Sequence, residues 1–243
     1  MKERRAPALF VPETDSTNSA LRRLAEEGAA EGTVLWSARQ SAGRGRMGRS
    51  FASPEGGLYY SLLLDASKEP GRDLLLPLAA GLAACRAVER VGGVRCGLKW
   101  PNDLLWEGKK LCGILAESFV AAGRRRLVLG IGLNVNTAAF PPELEGIAVS
   151  LRQITGRETA LPALAAALTE ELDEAVAALR AGDLSFLDVY RARCLTVGRE
   201  VRLLRDGELR EALALDVDDA GALRVRYADG TEEAVLSGEV SIR

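Results

Sequence analysis

The chain has 243 residues, of which 47% are hydrophobic and 27% are charged, and its formal net charge is −2. This length and composition indicate a globular protein with one sizeable core, or with a main core and a small appendage, and the near-neutral charge gives no general attraction to a nucleic-acid backbone. The sequence contains no histidine, which excludes Ser-His and Cys-His mechanisms and histidine-based metal sites.

The four cysteines (Cys85, Cys96, Cys112 and Cys194) are widely spaced among apolar neighbours and form no Cys-x-x-Cys pair. This pattern is typical of reduced, buried cysteines. No stretch has the length and apolarity of a membrane span, and the basic start of the chain lacks an apolar signal core. We therefore expect a cytoplasmic protein with no membrane partner.

The first 140 residues alternate between strand and helix patterns. A helix is predicted after the capping residues at 13–18, ending at Gly28, and an Ala- and Leu-rich helix is predicted over residues 74–91. Strands are predicted over residues 6–12, 34–40, 58–64, 96–100, 104–106, 110–120 and 126–135.

The last hundred residues change character near residue 195. Before it, a periodic helix carries Leu164, Leu168, Leu172, Val176 and Leu179 on one face, and a short helix follows over residues 184–193. After it, strands are predicted over residues 200–204, 211–216, 222–227 and 232–236, with turns at Asp206-Gly207, residues 219–221 and Asp229-Gly230. The prediction is an α+β protein with a mixed sheet flanked by helices in residues 1–194, and a small barrel-like β domain in residues 195–243.

The stretch Ser41–Ser50 places three glycines among three arginines directly after a predicted strand. Glycine lets the backbone approach a ligand closely, and the arginine fork suits carboxylates and phosphates. The loop is therefore suited to close over an anion. Taken alone, such a run is more often a mobile, solvated basic loop, and an RNA-binding Gly/Arg segment is a third possibility.

Ser16, Thr17 and Asn18 fall at the predicted start of the first helix. Free N–H groups at a helix N-terminus can receive a polar or anionic ligand. The alternative is that these residues only cap the helix.

Lys99 ends a predicted strand, and Pro101 forces a bend that presents Asn102 and Asp103 at the end of the sheet. Asp103 could help to hold Mg²⁺, accept a proton, orient an attacking amine, or only form an Asx turn. A hairpin near Gly108 would return Lys110 to the level of Asp103, although a lysine at a turn is commonly just solvated.

Glycines also interrupt two apolar strands. Gly113 indicates a close backbone approach or a bulge. Gly130 and Gly132 share one strand face and leave a slot beside which a flat ring could lie, with Asn134 on the same face. Bulges in a crowded sheet are the alternative explanation.

The order and spacing of these stretches resemble those of the biotin protein ligase family. The resemblance is strong over residues 8–140, and the last fifty residues are compatible with that family's SH3-like domain. It rests on Ser16-Thr17-Asn18, Gln40 with Gly43–Arg49, Ser53-Pro54 with Gly56–Tyr59, Lys99–Leu104, Lys110–Leu115 and Gly130–Asn136.

The resemblance implies the fold shared by biotin ligases and class II aminoacyl-tRNA synthetases. It implies an enzyme that uses ATP and Mg²⁺ to convert biotin into biotinyl-5'-AMP, with release of pyrophosphate. Biotin would then pass to a lysine of a biotin carboxyl carrier protein, a subunit of acetyl-CoA carboxylase or of another biotin-dependent carboxylase. The resemblance also allows a homodimer.

The resemblance also assigns roles to individual residues. The catalytic residues would be Lys110, Asp103 and Arg46, and Asp103 is the candidate Mg²⁺ ligand. The biotin contacts would be Ser16, Thr17, Asn18, Gln40, Gly43, Arg44, Gly45, Arg46, Lys110, Gly113 and Gly130. The ATP and adenylate contacts would be Arg46, Arg49, Lys99, Asn102, Asp103, Lys110, Gly132 and Asn134.

The sequence departs from the family pattern in two places. Some members carry an N-terminal helix-turn-helix domain, whereas here the catalytic signature starts at Thr14, so we expect ligase activity without DNA binding. Some members stack a tryptophan on adenine from a segment that matches residues 148–151, which contain no aromatic residue here. The sequence therefore leaves open how adenine is held.

Two other functions are compatible with parts of the sequence. A lipoate or octanoate ligase or transferase would share the fold and the transfer to lysine, but it is expected to lack Gly-Arg-Gly-Arg together with Lys-Trp-Pro-Asn-Asp. A non-enzymatic module that binds RNA or a protein is disfavoured by the near-neutral charge and by the lack of interleaved aromatic residues.

Overall fold

A seven-stranded mixed sheet is the centre of the larger part of the protein. The computed structural model describes residues 6–69, 71–205, 208–236 and 238–242. The strands are β1 (Ala8–Thr14), β2 (Val34–Gln40), β3 (Leu58–Asp65), β4 (Gly97–Lys99), β5 (Asp103–Trp106), β6 (Lys109–Ala121) and β7 (Arg124–Leu133), in the order β1-β2-β3-β7-β6-β5-β4. Only β1 and β2 pair in parallel, and the other neighbours in this sheet are antiparallel.

Helices cover both faces of this sheet. They are α1 (Thr17–Glu26), α2 (Leu76–Gly92), α3 (Leu151–Thr155), α4 (Leu161–Arg180) and α5 (Phe186–Arg193), with short 3-10 turns at Arg46–Gly48, Arg72–Leu75 and Pro142–Leu144. Helix α1 packs Leu21 and Ala25 onto one face, while α2, α4 and α5 contribute to the main core on the other. Among the described residues, no helix is both long and apolar enough to cross a membrane.

The C-terminal part is a five-stranded antiparallel sheet. Its strands are β8 (Glu200–Arg205), β9 (Glu208–Val217), β10 (Leu223–Tyr227), β11 (Glu232–Val235) and β12 (Glu239–Ile242), in the order β11-β10-β9-β8-β12. The predicted turns at 219–221 and 229–230 lie between successive strands, whereas the predicted turn at Asp206-Gly207 falls outside the described residues.

Trp100 joins the two parts of the protein. Its side chain is buried, and its indole N–H donates to the carbonyl oxygen of Gly221 at 2.9 Å. The Trp100 backbone N–H donates to Thr196 Oγ1 at 3.0 Å, and the Leu195 N–H donates to the Leu98 carbonyl at 2.7 Å. The C-terminal sheet is therefore attached to the strand that leads into Pro101, Asn102 and Asp103.

The predicted α+β class, with a mixed sheet flanked by helices and a C-terminal β part, is confirmed. The short helix α3 and the last strand, β12, were not predicted. Helix α2 starts at Leu76, after a 3-10 turn, two residues later than predicted. The four cysteines are buried free thiols, as expected.

Candidate active site

Two adjoining cavities lie between the start of α1, the Gly/Arg loop and one face of the sheet. The inner cavity is lined by Ser16, Thr17, Asn18, Gln40, Arg44, Gly45, Arg46, Phe51, Tyr59, Asn102, Lys110, Gly113, Ile114, Leu115, Gly130, Ile131 and Gly132. The outer cavity is lined by Gly45–Met47, Arg49–Phe51, Lys99–Asp103, Lys110, Gly238 and Val240. The cavities share residues such as Arg46, Asn102 and Lys110, so they form one continuous cleft.

The start of α1 supplies buried polar groups to the inner cavity. Ser16 is the N-cap residue, yet its hydroxyl makes no capping hydrogen bond. The first helical N–H, that of Thr17, instead donates to Gln40 Oε1 at 2.7 Å, and the Thr17 hydroxyl donates to the same oxygen at 3.1 Å. Gln40 in turn donates from Nε2 to Ser53 Oγ at 2.9 Å. Side-chain capping by Ser16 therefore does not explain this polar cluster.

Asn18 is held from both sides at the floor of the inner cavity. Its Oδ1 accepts from the Ser61 hydroxyl at 2.7 Å, and its Nδ2 donates to Glu117 Oε2 at 2.8 Å. Gly130 on β7 lies directly below, and a Cβ atom at that position would come within 2.3 Å of Asn18 Oδ1. Glycine is thus required at this position by the close approach of the asparagine amide.

The Gly/Arg loop forms a small hairpin over the cleft. Arg44 and Ser50 form an antiparallel backbone β-bridge, and the Gly45 N–H donates to the Arg49 carbonyl at 2.7 Å. Arg46 donates from Nη1 to Asn102 Oδ1 at 3.0 Å, and Arg44 pairs with Glu117 at 3.0 Å. The loop is therefore tied to the sheet on both sides of the cleft.

Phe51 forms a wall between the two cavities. Cβ atoms added at Gly113 and Gly132 would come within 2.9 and 2.6 Å of its ring, so these two glycines make room for it. The Lys110 ammonium lies 5.7 Å from the ring centroid, within range of a cation–π contact. The sequence predicted a slot for a flat ring beside Gly130 and Gly132; in the structure the Phe51 ring lies against Gly132 and Gly113, and Asn18 lies against Gly130.

Lys110 and Asp103 form an ion pair at the junction of the cavities. Lys110 Nζ lies 2.7 Å from Asp103 Oδ1, and the side chains are 32% and 16% exposed. In the sheet register, Asp103 is opposite Lys99 on β4 and Gly113 on β6. The hairpin thus brings Lys110 back to Asp103, and among the described side chains that line this part of the cleft there are two lysines, Arg46, Arg49 and a single carboxylate.

The cleft offers one carboxylate to a metal ion. Within the described residues there is no group of three or more Asp, Glu or Cys side chains that could hold a metal. Mg²⁺ is commonly held by one or two carboxylates together with substrate phosphates. Asp103 in the outer cavity therefore fits a Mg²⁺ ion whose other ligands come from a nucleotide and water.

Buried Tyr and Cys side chains near the cleft remain neutral. Burial raises the pKa of the Tyr59 phenol, whose hydroxyl donates to the Pro54 carbonyl at 2.8 Å. Burial likewise raises the pKa of the Cys112 thiol well above its usual value. Neither group is suited to act as a base or as a nucleophile at neutral pH.

Most of the candidate residues predicted from sequence come together in this cleft. Two of them do not face it directly. Gly43 lies at the start of the Gly/Arg loop and packs against the backbone, where an added Cβ would come within 2.3 Å of the Phe51 carbonyl oxygen. Asn134 is buried and donates from Nδ2 to the Lys110 carbonyl at 3.2 Å, so it supports the Lys110 backbone and does not line either cavity.

Phe51 and Glu117 were not predicted as site residues. Phe51 could have been suspected as the aromatic residue that follows the arginines, but which surface it packs on depends on two glycines far along the chain. Glu117 carries no local signal, since a glutamate in a strand is commonly a solvated side chain. Its partners are 73 and 99 residues away in sequence, at Arg44 and Asn18.

Comparison with known proteins gives matches over both parts of the chain. Residues 10–136 match the biotin/lipoate A/B protein ligase family, and residues 196–243 match the biotin protein ligase C terminal domain. The chain is 38% identical over 237 residues to the biotin--[acetyl-CoA-carboxylase] ligase of Mycobacterium tuberculosis, covering 95% of this chain and 86% of that protein.

A second relative is matched over a smaller region. The chain is 41% identical over 147 residues to the bifunctional ligase/repressor BirA of Bacillus spizizenii, covering 59% of this chain. The match spans 45% of that relative, less than half of its length.

Solved structures show the same architecture. The biotin protein ligase from Aquifex aeolicus in complex with biotin and ATP superimposes with a TM-score of 0.84 at 31% identity, covering 97% of this chain and 98% of that one. The Leishmania major biotin protein ligase in complex with biotinyl-5-AMP gives a TM-score of 0.64 at 27% identity, covering 94% and 98%. The likeness extends over both sheets.

Proposed function

The chain belongs to the biotin/lipoate A/B protein ligase family, and we propose that it is an ATP-dependent biotin protein ligase. In the first half-reaction it would join biotin and ATP into biotinyl-5'-AMP and release pyrophosphate. In the second it would transfer the biotinyl group to a lysine of a biotin carboxyl carrier protein. This choice is supported by the relatives that are named as biotin ligases and by the likeness to the Aquifex aeolicus structure in complex with biotin and ATP.

One observation carries the proposal: the inner cavity has neutral hydrogen-bonding groups at its α1 end and cationic groups where it meets the outer cavity. The neutral groups are Ser16, Thr17, Asn18 and Gln40; Arg44 lines the inner cavity, Arg46 and Lys110 line both cavities, and the outer cavity adds Lys99 and Arg49. Biotin has a neutral ureido head and a carboxylate at the end of its aliphatic tail. Its head fits the inner groups, and its carboxylate then lies at Lys110, where the two cavities meet.

The polar floor of the inner cavity also favours biotin over lipoate and octanoate. Sites that present buried hydrogen-bonding groups discriminate strongly against ligands that leave those groups unpaired. Asn18 and Thr17 are only 4% and 3% exposed. An apolar head that displaced their present partners would leave their hydrogen-bonding groups buried and unpaired. Neither the dithiolane ring of lipoate nor an alkyl chain supplies the donors and acceptors of a ureido group.

Adenylation requires two anions to approach each other. The biotin carboxylate attacks the α-phosphorus of ATP, and pyrophosphate leaves. Lys110 and Arg46 border both cavities, so their positive charges can offset the charge of the carboxylate and of the α-phosphate as they meet. No nucleophile from the protein is needed, which agrees with a chain that has no histidine.

Transfer requires a neutral amine on the carrier lysine. That amine attacks the acyl carbon of biotinyl-5'-AMP, and AMP leaves. Asp103 lies beside Lys110 in the outer cavity and can accept a proton from the incoming amine or orient it. Mg²⁺ bound with ATP would supply further charge neutralisation at the phosphates, and Asp103 would hold it.

We propose that the chain divides into two domains. The catalytic domain would comprise residues 1–194, and the C-terminal domain would comprise residues 195–243. The enzyme would work in the cytoplasm, where ATP and carboxylase carrier domains are available.

Pyrophosphate exchange tests the proposed reaction directly. With labelled pyrophosphate, the protein should form labelled ATP when biotin is present, and should not do so with lipoate or octanoate. Exchange with lipoate alone would replace the proposed function with that of a lipoate ligase. A protein inactive with all three acids, while still binding RNA or a protein, would support a non-enzymatic module.

Arg46→Gly is expected to release biotinyl-5'-AMP into solution faster than the wild type does. The substitution removes the guanidinium that bridges the cleft to Asn102, and losing a charged hydrogen bond of this kind changes a dissociation rate by about tenfold or more. The measurement is the half-life of labelled adenylate on the protein, followed by filtration in the absence of a carrier.

Met47→Gly is a suitable control for Arg46→Gly. The Met47 side chain is 69% exposed and uncharged, so Met47→Gly places the same new residue in the same loop and removes no charge. If both variants released the adenylate at the same increased rate, loop flexibility and not the Arg46 charge would be responsible.

A further inference from the structure

Glu117 lies on β6 at the edge of the inner cavity. Gly113, Leu115 and Glu117 alternate along β6 and face the α1 side of the sheet, and the first two line the cavity. The Glu117 side chain is 17% exposed, whereas its partner Arg44 on the loop is 48% exposed. Glu117 is thus a largely covered carboxylate located between the loop and the cavity floor.

Both partners of Glu117 are hydrogen-bond donors. Oε1 pairs with Arg44 Nη2 at 3.0 Å, and Oε2 accepts from Asn18 Nδ2 at 2.8 Å. Only a carboxylate presents acceptors on both oxygens; an amide presents one acceptor and one donor. A glutamine at this position would therefore place an NH₂ group against either the guanidinium or the Asn18 amide.

The Glu117 contact also determines the orientation of Asn18. With Nδ2 directed to the carboxylate, Oδ1 faces the Ser61 hydroxyl, from which it accepts at 2.7 Å. The amide is therefore held in one orientation at the floor of the cavity. Loss of the carboxylate would leave Nδ2 with the Leu115 carbonyl at 3.4 Å as its remaining partner.

The Gly/Arg loop has a second attachment on the opposite side of the cleft. There, Arg46 donates to Asn102, whose own Nδ2 donates to the Ile114 carbonyl at 3.1 Å. Arg44 and Arg46 are two residues apart, so the loop is fastened to β6 at Glu117 and, through Asn102, at Ile114. Releasing one attachment should open the loop without disturbing the core.

We propose that Glu117 is a positioning residue, which holds the Gly/Arg loop closed through Arg44 and orients Asn18 to receive the head group of the acid substrate. The inference rests on the proposed function where it concerns biotin. Its statement about the loop is independent of that function. Glu117 lines neither cavity, so its effect is on binding and retention.

Glu117→Gln tests the proposal through a split between KM and kcat. We expect the KM for biotin in pyrophosphate exchange to rise about tenfold and the release of biotinyl-5'-AMP to accelerate about tenfold, the size expected for loss of one charged hydrogen bond. The kcat at saturating biotin should stay within about twofold of the wild type, because Lys110 and Arg46 remain in place. Arg44→Gln and Glu117→Gln should be non-additive in adenylate release, because both remove the same ion pair.

Trypsin cleavage of the ligand-free protein provides a second readout that does not depend on catalysis. The loop contains three cleavage sites, after Arg44, Arg46 and Arg49, and we expect Glu117→Gln to be cut there faster than the wild type. Glu170→Gln is the matched control, because it removes a carboxylate that pairs with Arg90 at 2.9 Å between α2 and α4. It should change neither the kinetics nor the cleavage.

The two readouts separate the inference from the proposed function. If the wild type showed no biotin-dependent exchange but Glu117→Gln still exposed the loop, the proposed function would fall and the role of Glu117 in holding the loop would stand. Unchanged cleavage, together with unchanged KM and adenylate release in Glu117→Gln, would overturn the inference.

Discussion

Lys110→Ala should lower the rate of biotin-dependent pyrophosphate exchange by about two to three orders of magnitude, the usual effect of removing one electrostatic stabiliser of a transition state. Lys110 borders both cavities, and its ammonium lies 2.7 Å from Asp103 Oδ1. Without it, the biotin carboxylate and the α-phosphate would meet with only Arg46 shared between them as a cation. The measurement is kcat/KM for biotin in the exchange assay.

The neighbouring lysine provides the control. Lys109 precedes Lys110 at the start of β6, its side chain is exposed, and it lines neither cavity. Lys109→Ala therefore alters net charge and strand composition equally and should leave kcat/KM within about twofold, as surface substitutions usually do. Equal losses in the two variants would mean that general charge matters and that Lys110 has no special position.

Gly130→Ala should raise the KM for biotin by at least about a hundredfold, because a buried polar residue is forced out of place with few alternatives. The new Cβ would come within 2.3 Å of Asn18 Oδ1, and Asn18 is only 4% exposed. The amide must then leave its contacts with Ser61 and Glu117. Titration calorimetry would measure the corresponding rise in the Kd for biotin directly, without requiring turnover.

A glycine elsewhere in the core tests whether the effect is local. At Gly92, near the end of α2, an added Cβ would meet Leu151 Cδ1 at 3.4 Å, an ordinary packing distance. Gly92→Ala should bind biotin like the wild type. Normal biotin affinity in a folded Gly130→Ala protein would show that Asn18 does not contact the substrate.

The sequence predicts the main elements well where periodicity and turn residues agree. Strand β2 begins and ends at the predicted residues, and α4 carries the predicted apolar face from Leu164 to Leu179 in the main core. Helix α3 (Leu151–Thr155) was missed. It follows its N-cap residue Ser150, whose hydroxyl donates to the Thr137 carbonyl at 2.6 Å. Ser150 and Gln153 form a capping box, a local start signal that is easily overlooked when only five helical residues follow it.

The candidate site could be predicted as a set of stretches but not as a set of contacts. Glycines and charged residues in a known order indicated which segments converge, and Lys110 does return to Asp103. The direction of individual side chains depends on bulges and on packing partners. Asn134 was placed by strand alternation on the ligand face, yet it follows the end of β7 at Leu133 and turns to the Lys110 carbonyl. The roles assigned to the predicted residues remain predictions, and the proposed variants test them.

The position of the Phe51 ring in the nucleotide-facing cleft likewise could not be predicted from the sequence. The sequence shows no aromatic residue at 148–151, and the structure places the Phe51 ring against Gly113 and Gly132 beside Lys110. An aromatic wall is therefore present in the cleft, contributed by the residue that follows the Gly/Arg loop. Its distance in sequence from both glycines explains why no spacing rule identified it.

The most direct test of the account is the mass of a purified biotin carboxyl carrier domain after incubation with the protein, biotin, ATP and Mg²⁺. We expect the addition of one biotinyl group to a single lysine, with none added when ATP or the protein is omitted. A carrier domain that remained unmodified, while a lipoyl carrier domain was modified in a parallel reaction with lipoate, would contradict the account.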